Sequence, residues 1–315
     1  MKKISITLGL ALLSITYASA QYNKCAGQNR ITQTTKSLAP VLTDDGEEVL
    51  DVNGKVMMEE IKTEVLVSSD SYGNAQGNQY DLAVDGAFEG NTIAVLFLCR
   101  DGNANFNKPK EVLKQKGFSV FQWINQPPSA DELKEKLKLA SQLWVISGNT
   151  KTLNDKHAEV IKEFFESGKG LYIFGDNDPY YADANFLTEK LFGTSMDGNL
   201  YGAKTVGLSG DAENKAGIVK GHLISTGIVN MYEGITIATV KATQELEPLI
   251  YGSEDNLVAA VYERDGKRAI IDGGFTRLYY AWDSAGTDRY IKNAASWLVN
   301  YERFGEMVYK VEDEE

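Results

Sequence analysis

The sequence predicts an α/β fold built on a parallel sheet, and three observations carry that prediction. Continuous apolar runs recur at Thr92–Leu98, Phe118–Ile124, Gln142–Ser147 and Gly170–Gly175. Runs of this kind suit strands covered on both faces. Segments with amphipathic helical spacing separate them, and strands alternating with helices imply βαβ units. Further on, two apolar runs meet at Asp265-Gly266, a dipeptide that marks an antiparallel hairpin.

The elements follow in chain order. Residues 1–20, "MKKISITLGLALLSITYASA", place two lysines before an apolar segment and end in Ala18-Ser19-Ala20. That is the layout of a secretory signal peptide, so the chain is expected to be exported, periplasmic or secreted, and to begin near Gln21 once cleaved. Residues 21–90 are polar and turn-rich. "DDG" and "NG" between alternating runs suggest hairpins, and the stretch reads as an irregular β-rich extension. The α/β domain is assigned to residues 91–303. Lys108 to Lys116 can form a short helix. Ser129 caps the next, with Glu132 completing a capping box. A third helix turns Ile161, Phe164 and Phe165 inward and stops at Gly168. The last carries Ile291, Ala294, Ala295 and Leu298 on one face and is expected to cover the sheet. Residues 304–315 form an acidic tail.

Composition narrows the function. The 315 residues are 43% hydrophobic and 24% charged, ordinary for a globular chain, with a formal net charge of −12. A surface of that sign repels phosphate backbones and anionic lipid headgroups, which argues against nucleic acid as a partner. Past the leader no apolar run is long enough to insert in a membrane. The only cysteines are Cys25 and Cys99. An exporting route permits a disulfide between them. Cys99, ending an apolar strand, equally suits an unpaired thiol packed as a small hydrophobe.

The order of these elements, with "HLISTGIVNMYEGI" and "GKRAIIDGGFTRLYYAWD…YIKNAASWL", resembles the class I glutamine-amidotransferase-like (flavodoxin-like) superfamily, in particular its non-catalytic exported members. The resemblance spans roughly Asn91 to Tyr301 and implies a three-layer parallel-sheet domain with a late β-hairpin. In catalytic members the bend after a strand carries a cysteine, completed by a histidine and a glutamate. Here Gly175-Asp176-Asn177 occupies that bend, which presents a carboxylate where sulfur would be expected. The resemblance therefore implies a pseudoenzyme.

Ligands of open parallel sheets bind outside the carboxyl ends of the strands. Asp101, Asn149, Asp176, Asn177 and Asp178 follow strand ends there, with Tyr180 and Tyr181 beside them. Such a rim suits the hydroxyls of a carbohydrate-like ligand, a partner protein or a divalent cation. Asp and Asn after strands also form Asx-turns and cap helices, a structural role that Asp178 and Asp183 fit well. His222 could serve as base toward a nucleophilic Asp176, which would make the chain a hydrolase. A histidine bonded to backbone is the plainer assignment. His157 is expected at the surface, and Arg277 is expected to pair with Asp283. No Walker or dinucleotide glycine pattern is present. The expected role is an exported, non-catalytic binding or interaction module without a cofactor, with the Asp176–His222 hydrolase as the alternative.

Overall fold

The computed structural model describes residues 22–210 and 214–300. The leader-like residues 1–20 and the acidic tail lie outside the described residues. The hairpin expected near the N-terminus is a projecting arm. Its strands β1 (Thr32–Pro40) and β2 (Met58–Leu66) pair antiparallel, Thr32 opposite Leu66 and Pro40 opposite Met58. At the tip three backbone amides donate in a ring: Val41 to Met57 at 2.9 Å, Met57 to Val49 at 2.8 Å and Val49 to Val41 at 2.8 Å. The "DDG" and "NG" turns project from this ring, with Gly46 and Gly54 at φ of 84° and 76°, a region that costs glycine little. Leu38, Leu42, Leu50 and Met58 on the arm are all exposed.

The alternating apolar runs become the predicted strands and helices. They are β3 (Thr92–Phe97), α1 (Asn107–Gln115), β4 (Ser119–Ile124), α2 (Ala130–Leu137), β5 (Gln142–Ile146), α3 (Asp155–Glu166) and β6 (Gly170–Phe174). After α4 (Ala182–Phe192) come six shorter elements: β7 (Met196–Tyr201), β8 (Thr205–Val206), β9 (Gly217–Ile218), β10 (Met231–Tyr232), β11 (Thr236–Val240) and β12 (Glu247–Tyr251). The chain continues through β13 (Leu257–Arg264) and β14 (Lys267–Asp272) to α5 (Thr287–Leu298).

One eight-stranded sheet, ordered β4-β3-β5-β6-β14-β13-β12-β9, forms the centre. Its first five strands run parallel and the other three antiparallel. The Asp265-Gly266 hairpin joins β13 to β14, with Arg264 opposite Lys267. Alternate residues of each strand feed opposite faces, as a two-residue side-chain period requires. Val95, Trp144, Tyr172 and Ile270 meet Leu113 of α1 and Ile291, Ala294 and Leu298 of α5. On the other face Leu96, Val145 and Ile173 meet Leu133 of α2, Ile161 and Phe165 of α3 and Leu187 of α4. Helices therefore cover both faces, which explains why the parallel strands lack polar alternation.

The body draws on residues before Asn91. Leu82, Ala83 and Phe88 lie in the main core. Asp81, fully buried, is neutralised by Lys116 at 2.9 Å and Arg289 at 2.7 Å. Arg289 also donates to the carbonyls of Ala75, Gly77 and Gly227, at 2.6, 2.9 and 2.8 Å.

Two local expectations change. Ser129 Oγ accepts from the Glu132 amide at 3.2 Å, but the Glu132 carboxylate takes the Trp123 indole N–H at 3.5 Å, so the capping box is half made. His157 is buried rather than on the surface. It sits at the third position of α3, boxed with Asn154, while Nε2 bonds the Pro128 carbonyl at 2.8 Å. Its polar neighbours in sequence point elsewhere, which hid that role.

Candidate functional site

The bend after β6 forms where predicted. Phe174 closes the parallel ladder, and the Gly175 amide then donates to the Asp272 carbonyl at 2.8 Å. A Cβ on Gly175 would collide with the Met196 sulfur and the Tyr181 side chain, so the tight turn needs glycine here. Ser147, after β5, holds the start of α4 beside the bend: its Oγ accepts from the amides of Asp183 and Ala184 at 3.0 and 3.1 Å.

Asp176 does not stand free on the rim. It is 1% exposed and turned into the protein. Oδ1 accepts from the Asn177 amide at 2.9 Å and the Thr236 hydroxyl at 2.7 Å, and Oδ2 from the Thr276 amide at 3.0 Å. Burial raises its pKa to about 6, against the lowering effect of these donors. The carboxylate forms the floor of a cavity of about 180 Å³, together with Cys99, Asp101, Asn177, Tyr180, Thr236, Phe275 and Tyr279. Three rings make one wall: Tyr180 to Phe275 is 6.2 Å between centroids, and Phe275 to Tyr279 is 6.4 Å.

Of the predicted rim, Asp101, Asp176, Asn177 and Tyr180 thus share one cavity. Asn149, Asp178 and Tyr181 are outside its lining. Exposed Asn149 accepts from the Thr150 hydroxyl at 3.2 Å, and Asp178 accepts from Tyr181 at 3.1 Å. The tyrosine pair divides: Tyr180 packs on one face of the sheet and Tyr181 on the other. Asp183 is structural, accepting from the Thr152 and Leu153 amides, both at 2.8 Å.

His222 is placed at the far end of the sheet. Its ring rests on Trp297 at 5.3 Å, and the Trp297 carbonyl is bonded by Arg268 at the start of β14. Asp176 follows the opposite end of the strands, and five strand residues span about 16 Å. His222 Nδ1 accepts from the Ile224 amide at 3.1 Å, and burial lowers its pKa to about 4. The pairing of His222 with Asp176 is therefore not formed.

The disulfide is not formed either. Both cysteines are free and buried. Cys25 belongs to a small cluster with Ile31 and Ala75, and its thiol donates to the Gln79 carbonyl at 3.6 Å. Cys99 packs in the main core, and its thiol pKa is raised by burial and by Asp101 and Asp176. Arg277 pairs with Asp272 instead of Asp283, which is exposed. Both partners are fully buried, and Asp272 also accepts from Tyr172 and Tyr290, each at 3.0 Å. Among the described residues no group of three His, Cys, Asp or Glu side chains could hold a metal ion.

Thr236, Phe275 and Thr276 were not legible as site residues. Their one signal is that "GITIATV" and "GGFTRLYY" place a threonine just after glycine-bearing turns.

No protein-family model and no curated protein matches the chain. Solved structures do. An "mmIFT52 N-terminal domain" is 14% identical, with a TM-score of 0.51, covering 66% of this chain and 97% of that one. A ThuA-like protein from Parabacteroides merdae is 12% identical, with a TM-score of 0.44, covering 72% and 94%. A protein described as a GMP synthase component from Thermoplasma acidophilum is 9% identical, with a TM-score of 0.40, covering 67% and 96%. At such identities the first of these speaks to a shared α/β fold alone.

Proposed function

We propose that the chain is an exported, non-catalytic binding module on an amidotransferase-like scaffold, with its ligand site at the Asp176 cavity. The observation that carries this reading is the state of Asp176: protein donors occupy both of its oxygens at the position where an attacking group would have to stand free. The cavity does hold a thiol, Cys99, but burial and two acids push its pKa up, the reverse of what a nucleophile needs. No histidine lines the cavity. The lining is rich in acceptors, so a carbohydrate-like ligand or a group on a partner protein would bind by offering donors. Export rests on the leader-like first twenty residues, and the scaffold on the sheet order with the bend after β6.

Purified chain should show no glutaminase, esterase or peptidase turnover that depends on Asp176. Turnover abolished by Asp176→Asn in a variant that still folds would refute the reading. Mass measurement of the secreted or periplasmic chain should give a species beginning near Gln21. A second reading, a hydrolase, draws on the Asp176 pKa of about 6, within the range of acid–base groups. It would need a base other than His222.

A further inference from the structure

Building on that binding-module reading, we infer that the cavity between the ends of β3 and β6 takes a primary ammonium group on an alkyl stem, a lysine side chain or a small amine. Three features of the lining select this chemistry. First, its ionisable acids are Asp101 and Asp176, and none of its residues is basic. Arg100, adjacent in sequence, is directed away to the Asn125 carbonyl at 3.2 Å.

Second, acceptors remain open. Asp101 Oδ1 takes the Asn103 amide at 3.1 Å, while Oδ2 accepts no hydrogen bond among the described residues. The hydroxyls of Tyr180 and Tyr279 also have no hydrogen-bond partner there. The phenol of Tyr279 sits among Cys99, Asp101 and Asp176, which together with burial hold its proton firmly. A ligand donating two or three N–H groups completes this set, and a carboxylate or phosphate would be repelled by it.

Third, the Tyr180–Phe275–Tyr279 wall offers ring faces. Aromatic faces attract organic cations and flank the methylene stem that carries them. A hard divalent cation gains nothing from them and needs more oxygen ligands than two carboxylates supply. The volume, about 180 Å³, fits the end of one side chain and excludes a nucleotide or an oligosaccharide.

The test is a thermal-shift and calorimetric titration of the intact chain with n-butylamine, n-butanol, glucose and Nα-acetyl-lysine methyl ester at neutral pH. Butylamine and the lysine ester should raise the melting point in a saturable way, and butanol at equal concentration should not. Asp101→Asn, at an exposed position that leaves the core untouched, should weaken amine binding at least tenfold, as should Tyr279→Phe to a smaller degree. The lysine ester binding at least tenfold tighter than butylamine would assign the source to a partner protein's lysine, and equal affinities to a free amine. Equal shifts with butanol and butylamine, or no shift with either amine, would overturn the inference. A shift with glucose alone would do the same while leaving the binding-module reading intact. Asp176-dependent turnover, a separate readout, bears on that reading and not on the ligand class.

Discussion

The Thr276 amide donates to Asp176 Oδ2 at 3.0 Å and so ties the loop after β14 to the bend after β6. These two loops supply most of the cavity, and one buried carboxylate fixes their separation. Asp176 is thus a strut as well as a floor, and its ionisation is coupled to folding.

Burial raises the Asp176 pKa from its ordinary 3.8 to about 6. Between those values the folded chain holds the proton more firmly than the unfolded chain. The residue's contribution to stability is therefore full below about pH 4 and is lost as the pH rises through 6. The difference corresponds to about 3 kcal/mol. Asp176→Asn removes the titration, so the stability gap between wild type and variant should narrow by a few kcal/mol from pH 4 to pH 7. Urea unfolding at both pH values measures it, and a gap independent of pH would contradict the assignment.

His222 should behave in the opposite sense. Burial, with help from Arg268, lowers its pKa from 6.5 to about 4. The unfolded chain then takes up the proton first, so its contribution is full above pH 6.5 and is lost as the pH falls through 4. His222→Gln should flatten the acid limb of the stability curve in that window. An unchanged limb would mean that the ring is accessible to solvent.

The Arg277–Asp272 pair lies wholly inside the protein, and Arg277 also donates to the Glu233 carbonyl at 2.7 Å. Replacing Arg277 with leucine leaves a buried carboxylate with neutral donors only. Unpairing such a charge costs about 3 to 5 kcal/mol. Denaturant titration of Arg277→Leu should show that loss, whereas Asp283→Asn should be silent.

The arm makes the contrary prediction. The Val67 amide bonds the Ile31 carbonyl at 3.3 Å, so the two ends of the arm already meet at its root. Replacing Gln33–Val65 with an Asn-Gly turn should leave the melting point within about 2 °C of wild type, as expected for surface lacking tertiary packing. A large drop would reveal packing onto the body.

Much of the frame was legible in the sequence because burial on two faces forces an unbroken apolar text, as in "TIAVLFL" and "GLYIF". The bend at Gly175 was legible too, since the strand pattern stops there. The direction of the Asp176 side chain was not. It depends on Thr236 and Thr276, donors 60 and 100 residues away in sequence. Local text likewise could not show that Arg277 prefers Asp272 to Asp283, because both lie within reach along the chain and only the fold buries one of them. The tyrosine pair misled for a simple reason: consecutive residues entering a helix point in different directions.

Arg289 adds a consequence for biogenesis. Its guanidinium gathers Ala75, Gly77 and Asp81 from a stretch made more than 200 residues earlier, the bond to Ala75 bridging a separation of 214. Until α5 emerges they lack this guanidinium, and Asp81 has Lys116 alone as its cation. Completion of the native state is expected to be a late and slow event, since joining distant segments is what delays folding. A chain truncated before α5 should remain protease-sensitive throughout its N-terminal third.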